Sequence, residues 1–239
     1  MSKIAIITAR GNSKRIPKKN IKSFCGKPII AYSIQAALDS GIFDTVMVST
    51  DSFEIKSIAE KYGAEVPFMR SSKNSDDYAT TADVLLEVIN WYEINGKYYD
   101  YGCCVYPTAP LITSEKIKEA METLEEERAD SVIPVVRYSF PPQRGMKIHN
   151  GKISSVDPED FEMRSQDLEP IYHDCGQFYV FKIETFKEKK KLVTDNSVPL
   201  VLKEKNVQDI DSIEDWEIAE LKYKLLNRKK IMKNSQNKN

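Results

Sequence analysis

Residues 4–22 read IAIITARGNSKRIPKKNIK. Ile4, Ala5, Ile6 and Ile7 form a short run of β-branched and small apolar side chains, the composition of a parallel strand buried on both faces. The run stops at a loop carrying Arg10, Lys14, Arg15, Lys18 and Lys19 together with Gly11, Ser13 and Asn20. A buried strand that hands such a loop to the carboxyl edge of a sheet places it where open α/β sheets bind ligands. Between Lys3 and Leu38 there are eight Lys or Arg and no Asp or Glu, in a chain whose formal net charge is −1. A local excess of that kind makes an anion site without making the whole chain polyanion-seeking. Gly11 and Ser13 let backbone N–H groups approach an oxyanion. A solvated basic loop is the alternative; the apolar strand before it and the missing counter-charges favour a polyphosphate cradle. Neither GxxxxGK[ST] nor GxGxxG occurs, so the loop is not a P-loop or a dinucleotide fingerprint.

Outward from this stretch, strand and helix patterns alternate. Pro28 stands where a first helical residue belongs, and Ile30, Ile34, Ala37 and Leu38 mark one face of a helix ending near Gly41. Strands are expected at 45–49, 101–106, 131–136, 177–181 and 198–202, and helices at about 51–62 (Asp51 capping, Glu54 its partner), 81–92, 114–124, 184–188 and from Ile213. That order implies a largely parallel sheet covered on both faces, with ligands at the carboxyl ends of its strands. Residues 138–169 break the pattern. Met146–Ile148, the turn Asn150-Gly151 and Ile153–Val156 predict a hairpin excursion outside the αβ alternation.

A chain of 239 residues can bury the core of one large α/β domain. Residues 1–228 are assigned to it, and the basic tail 229–239 is expected to be disordered. Near-neutral charge does not imply a nucleic-acid or anionic-membrane partner, and no apolar run approaches the ~20 residues of a membrane span. With no leader pattern at the N-terminus, the expected location is the cytoplasm. Cys25, Cys103, Cys104 and Cys175 fit neither metal nor disulfide spacing and predict buried reduced thiols.

Three further groups could carry chemistry. Asp209 and Asp211, at i and i+2 of an extended segment, project to one side, as a Mg²⁺ on a polyphosphate requires; capping of the last helix by Asp211 or Ser212, with Asp215 completing a capping box, explains the same residues equally well. Tyr106-Pro107-Thr108-Ala109-Pro110 is a rigid loop after a strand, with hydroxyls to offer. Arg164, Gln166, His173, Asp174 and Gln177 lie in a stretch rich in charged, amide and aromatic side chains, suited to reading a polyhydroxylated acid.

Ala9-Arg10-Gly11, Ser13-Lys14, Pro17, Lys19-Asn20 and Gly26-Lys27-Pro28 resemble the opening signature of the acylneuraminate cytidylyltransferase family, which joins CMP to nine-carbon sialic-type sugars. The resemblance implies an α/β chain of three-layer αβα, Rossmann-like nucleotide-diphospho-sugar transferase fold. It implies nucleotide contacts from Ala9, Arg10, Gly11, Ser13, Lys14, Arg15, Lys19, Asn20, Arg70, Thr80 and Thr81, with Arg10, Lys14, Lys19 and Asp211 serving the chemistry. It also implies Mg²⁺ on Asp209 and Asp211, CTP and an acidic sugar as substrates, and sugar contacts from Tyr106, Thr108, Arg164, Gln166, His173, Asp174 and Gln177. The excursion is expected to join two subunits, with Arg164 or Gln166 approaching the partner's sugar pocket. Sialic acid members carry Gln-Pro-Thr-Ser-Pro-Leu where this chain has Tyr106-Pro-Thr-Ala109-Pro-Leu. The departure, with the 164–179 stretch, is similar to the branch that activates pseudaminic acid, a sugar of bacterial flagellins and surface glycans.

Overall fold

In a computed structural model that describes residues 1–228, the first strand β1 (Lys3–Thr8) lies inside the sheet, its middle four residues buried. Two short strands, β2 (Ser23–Phe24) and β3 (Lys27–Pro28), form a ribbon before helix α1 (Ile30–Ser40). Then come β4 (Thr45–Ser49), α2 (Phe53–Lys61), α3 (Thr81–Ile94), β5 (Tyr101–Val105), α4 (Ser114–Glu126) and β6 (Ser131–Arg137). The excursion holds β7 (Met146–His149), β8 (Lys152–Ser155) and α5 (Pro158–Glu162). The chain returns through β9 (Tyr172–Asp174), β10 (Phe178–Lys182), α6 (Ile183–Lys189), β11 (Ser197–Leu202) and α7 (Ile213–Leu226).

The main sheet runs β11-β6-β10-β5-β1-β4, with β9 also on β6. β1 pairs parallel with β4 and β5, and β11 parallel with β6; β9 and β10 are antiparallel to their neighbours. Because side chains alternate across a strand, each central strand feeds two cores. Ala5, Ile7, Val46, Val48, Cys103 and Val105 pack against α1, α2 and α4. Ile4, Ile6, Met47 and Cys104 pack against α3 and α6. The result is the three-layer αβα arrangement with a mostly parallel sheet that the alternation predicts. A third cluster, Ile16, Phe24, Ile29, Tyr32, Ile210, Trp216 and Ala219, fixes α7 onto the first loop and the ribbon. Burying Ile16 against Ile210 brings the basic loop and the Asp209–Asp211 segment together.

Local expectations differ from the structure at several points. Pro28 closes the β2–β3 ribbon rather than opening α1, whose first residue is Ile30. Ser52, not Asp51, caps α2 by accepting from the Ile55 N–H, and Thr113 caps α4 by accepting from the Lys116 N–H. The strand expected from Gln177 begins at Phe178, and β9 lies in a stretch with no strand pattern of its own. The hairpin forms at Asn150-Gly151, both with positive φ (50° and 74°) as a type I′ turn requires. The 229–239 tail lies outside the described residues.

Candidate active site

The loop after β1 is built to leave donors free. Lys18 adopts a left-handed conformation and leads into a single 3₁₀ turn, Lys19–Ile21, which turns Lys19 inward. Asn20, buried, donates from Nδ2 to the Arg10 carbonyl at 2.8 Å and so sets the loop's return. Among the described residues the N–H groups of 12–15 donate to no protein acceptor. Four consecutive free amides next to five basic side chains make an anion-binding concavity.

These residues line a cleft of about 480 Å³ at the carboxyl ends of β1, β4 and β5. Arg10, Ser13, Lys14, Arg15, Lys19, Asn20, Arg70, Thr80, Thr81, Tyr106 and Thr108 all border it, as do Asn12, Asn74, Asp76 and Asp77, which sequence reasoning passed over. Ala9 is buried and donates its N–H to the Ser49 carbonyl at 2.9 Å, so it holds β4 rather than facing the cleft. The Gly11 N–H, expected to serve a phosphate, is donated to Asp51 Oδ1 at 2.7 Å. That bond explains why Asp51 does not cap α2. It also explains why glycine is needed: a Cβ there would stand 2.9 Å from Ser52 Cβ. Arg70 is buried and donates to Ser49 Oγ at 2.9 Å, and to the Ser49 carbonyl, fixing the end of β4; burial lowers its pKa to about 10. Thr80 caps α3, exchanging bonds with Asp83, so its hydroxyl is already committed to the helix. Thr81 Oγ1 stands 3.4 Å from the Tyr106 hydroxyl.

The Asp209–Asp211 segment borders an adjoining hollow with His173, Gln208, Asp215 and Lys222. Its capping alternative resolves cleanly. Ser212 and Asp215 form the capping box of α7 between themselves, so neither Asp209 nor Asp211 caps the helix with its side chain. Instead Asp211 meets the basic loop: Arg15 Nη1 lies 2.6 Å from Oδ2 and Lys19 Nζ 3.7 Å from Oδ1, while Lys19 donates to the Ile210 carbonyl at 2.6 Å. Burial pulls the Lys19 pKa below its ordinary value, against the opposing pull of Asp211. Desolvation in the hollow, and then the Asp211 charge beside it, raise the pKa of Asp209. Mg²⁺ takes one or two carboxylates and fills its shell with waters and phosphate oxygens. Two carboxylates that leave the helix cap to others, one of them desolvated, next to the basic loop fit that ion, whereas among the described residues no group of three or more His, Cys, Asp or Glu could hold a metal alone.

The expected sugar contacts divide. Tyr106 and Thr108 border the cleft, and His173 borders the hollow with both Asp residues. Gln177 does not face a ligand: it is buried and donates from Nε2 to the Asn206 carbonyl at 2.8 Å, pinning the chain ahead of Asp209. Asp174 is engaged at both oxygens, by the Gly176 N–H at 2.9 Å and by the Tyr179 hydroxyl, so its carboxylate is held by the protein itself. Ala109 is buried in the core, so of the two departures in that loop only Tyr106 reaches the site. Gln166 borders a separate hollow of about 520 Å³ at the root of the excursion, which carries a single basic residue, Arg137. Arg164 borders none of these spaces.

The pattern of the cytidylyltransferase family matches residues 4–231. A pseudaminic acid cytidylyltransferase of Campylobacter jejuni is 40% identical over 226 residues, covering 94% of this chain and 97% of that one. A CMP-N,N'-diacetyllegionaminic acid synthase of Legionella pneumophila is 33% identical, covering 91% and 94%. Among solved structures, CMP:2-keto-3-deoxy-manno-octonic acid synthetase complexed with CTP superposes with a TM-score of 0.71 at 15% identity, covering 96% of this chain and 100% of that one, a likeness of fold.

Proposed function

The chain belongs to the cytidylyltransferase family, and from that premise we propose that it joins CMP from CTP to pseudaminic acid, a nine-carbon acidic sugar, releasing pyrophosphate. The observation that carries this reading is the junction of Lys19 and Arg15 with Ile210–Asp211, which sets the basic loop beside the two carboxylates of Asp209 and Asp211. Pseudaminic acid is favoured over its isomers by the higher identity to the Campylobacter enzyme and by Tyr106 at the cleft.

In the reaction the anomeric hydroxyl of the sugar forms a bond to the α-phosphorus as the bond to the β-phosphate oxygen breaks. Such chemistry needs positioning and charge stabilisation more than a covalent nucleophile. Arg10 and Lys14 hold the polyphosphate, with the amides of 12–15 donating to its oxygens. Asn20 and Asp51 keep the loop open at that geometry by tying down the Arg10 carbonyl and the Gly11 N–H. Asp209 and Asp211 would hold Mg²⁺, which supplies positive charge at the α-phosphate and lowers the pKa of what it binds.

We assign the enzyme to the cytosol and read it as a homodimer. Among the described residues no helix is long and apolar enough to cross a membrane. The excursion leaves Phe140, Met146, Ile148, Ile153 and Val156 at least half exposed instead of packing them on its own sheet. A hairpin of that size is marginal unless covered, and a symmetric partner would cover it. Pyrophosphate release with CTP, Mg²⁺ and a panel of pseudaminic, legionaminic and sialic acids tests the activity; preference for another sugar would overturn the assignment. Sedimentation of the full chain tests the dimer, and a monomer at micromolar concentration would rule it out.

A further inference from the structure

Asp77 sits between two cations of the cleft. Its Oδ1 accepts from Arg10 Nη1 at 3.1 Å and its Oδ2 from Lys14 Nζ at 2.5 Å; Arg10 also reaches the Asp76 carbonyl at 3.3 Å. The turn that presents it is held by its neighbour, since Asp76 Oδ1 accepts from the N–H groups of Tyr78 and Ala79 at 2.9 and 2.8 Å. Both cations press the Asp77 carboxyl below its ordinary pKa, so it is ionised at neutral pH. One oxygen on each of two cations is a contact that two oxygens of a phosphoryl group could equally make.

We propose that Asp77 is a resident counter-anion that sets the charge a ligand must bring to the cleft. It occupies Arg10 and Lys14 until a polyphosphate displaces it. This rests on the reading above, in which these two side chains receive the polyphosphate. Without a counter-charge, Arg10 and Lys14 repel one another, and a small anion gains their full attraction. With Asp77 in place, a ligand gains only the difference between its own contacts and those it replaces. A polyphosphate, with several charges and many acceptor oxygens, overcomes that threshold; an isolated phosphate or carboxylate exchanges one pair of contacts for another of like kind. Exposure of the Asp77 carboxylate, 49%, makes the exchange possible without unpacking the core.

The test is calorimetric titration of the full chain and of Asp77→Asn with CTP, pyrophosphate and cytidine, with EDTA present to exclude metal. Two exposed ion pairs are removed, so Asp77→Asn should bind CTP and pyrophosphate about three- to tenfold more tightly at low salt, a gain that shrinks as salt is added. Cytidine should bind unchanged, and Asp77→Glu should bind as the unaltered chain does. Unchanged or weaker polyphosphate binding by Asp77→Asn, with native circular dichroism, overturns the proposal and points to a carboxylate that assists the ligand instead. A wild-type chain that binds neither CTP nor pyrophosphate overturns the reading of the cleft, and the proposal with it.

Discussion

Replacing Lys19 by Met should damage stability and turnover together, because one ammonium joins two segments that lie far apart in the chain. It donates to the Ile210 carbonyl at 2.6 Å and stands 3.7 Å from Asp211 Oδ1, with 16% of its side chain exposed. Methionine keeps the apolar stem and removes the charge. Leaving the Ile210 carbonyl without its donor costs about 1–3 kcal/mol. The ion pair at 3.7 Å is worth roughly 1 kcal/mol in a water-like medium and about 4 at the dielectric of a protein surface, before desolvation is subtracted. Asp211 is 44% exposed, so the lower figure applies. A combined loss of about 2–4 kcal/mol lowers Tm by roughly 4–16 °C in a chain of this size. Asp209 and Asp211 also lose a nearby positive charge, and kcat/KM for CTP should fall with it. Thermal unfolding followed by circular dichroism, alongside pyrophosphate release, measures both. A Tm within a degree of wild type would mean that the bridge is absent in solution. A lowered Tm with unchanged kcat/KM would reduce Lys19 to a structural strut.

Asp209→Asn and Asp211→Asn should each suppress turnover severely; because the cap of α7 belongs to Ser212 and Asp215, Asp209→Asn should keep Tm close to wild type, while Asp211→Asn should lose about 1 kcal/mol with its pairing to Arg15 and Lys19. Ser212→Ala should do the reverse, costing about 1 kcal/mol of stability while leaving the Mg²⁺ dependence of the rate as it was; Mg²⁺ titrations and melts on the three variants separate the roles. Gly102→Ala would place a Cβ 2.4 Å from the Phe181 ring, overpacking that costs about 1–3 kcal/mol, and urea unfolding should show a lower midpoint at unchanged slope. Burial pushes the thiols of Cys104 and Cys175 up to about 12 and raises that of Cys103 well above its ordinary value. Roughly one Cys104 or Cys175 in ten thousand is then thiolate at pH 8, so alkylation of the native chain read by mass spectrometry should find the partly exposed Cys25 first.

The sheet was legible because its evidence is local. The apolar runs of β1, β4 and β5 carry their own length and composition, and helices such as α1 and α4 show their buried faces by spacing alone. β9 has three residues, none fully buried, and it exists only because β6 offers an edge; no periodicity announces it. The site divides along the same line. A basic loop without counter-charges stands out in any window, and so the cleft was found. Its counter-charge, Asp77, lies 63 residues away from Lys14 in a stretch that reads as an ordinary polar turn. Gln177 and Asp174 differ from their reading by residue type for a related reason. Their residue types are those that read sugars, but each spends its polar atoms on the protein: Gln177 on the Asn206 carbonyl, Asp174 on Gly176 and Tyr179. Residue type states what a side chain can bind, and only its partner tells whether it touches a ligand or holds the groups that do. For this chain the second class is large, since Asn20, Asp51, Arg70 and Gln177 all act on backbone groups beside the cleft or the Asp209 segment. Substitutions there should shift the geometry of the loops before they alter any contact with CTP or sugar, and their effects on stability and turnover should therefore rise together.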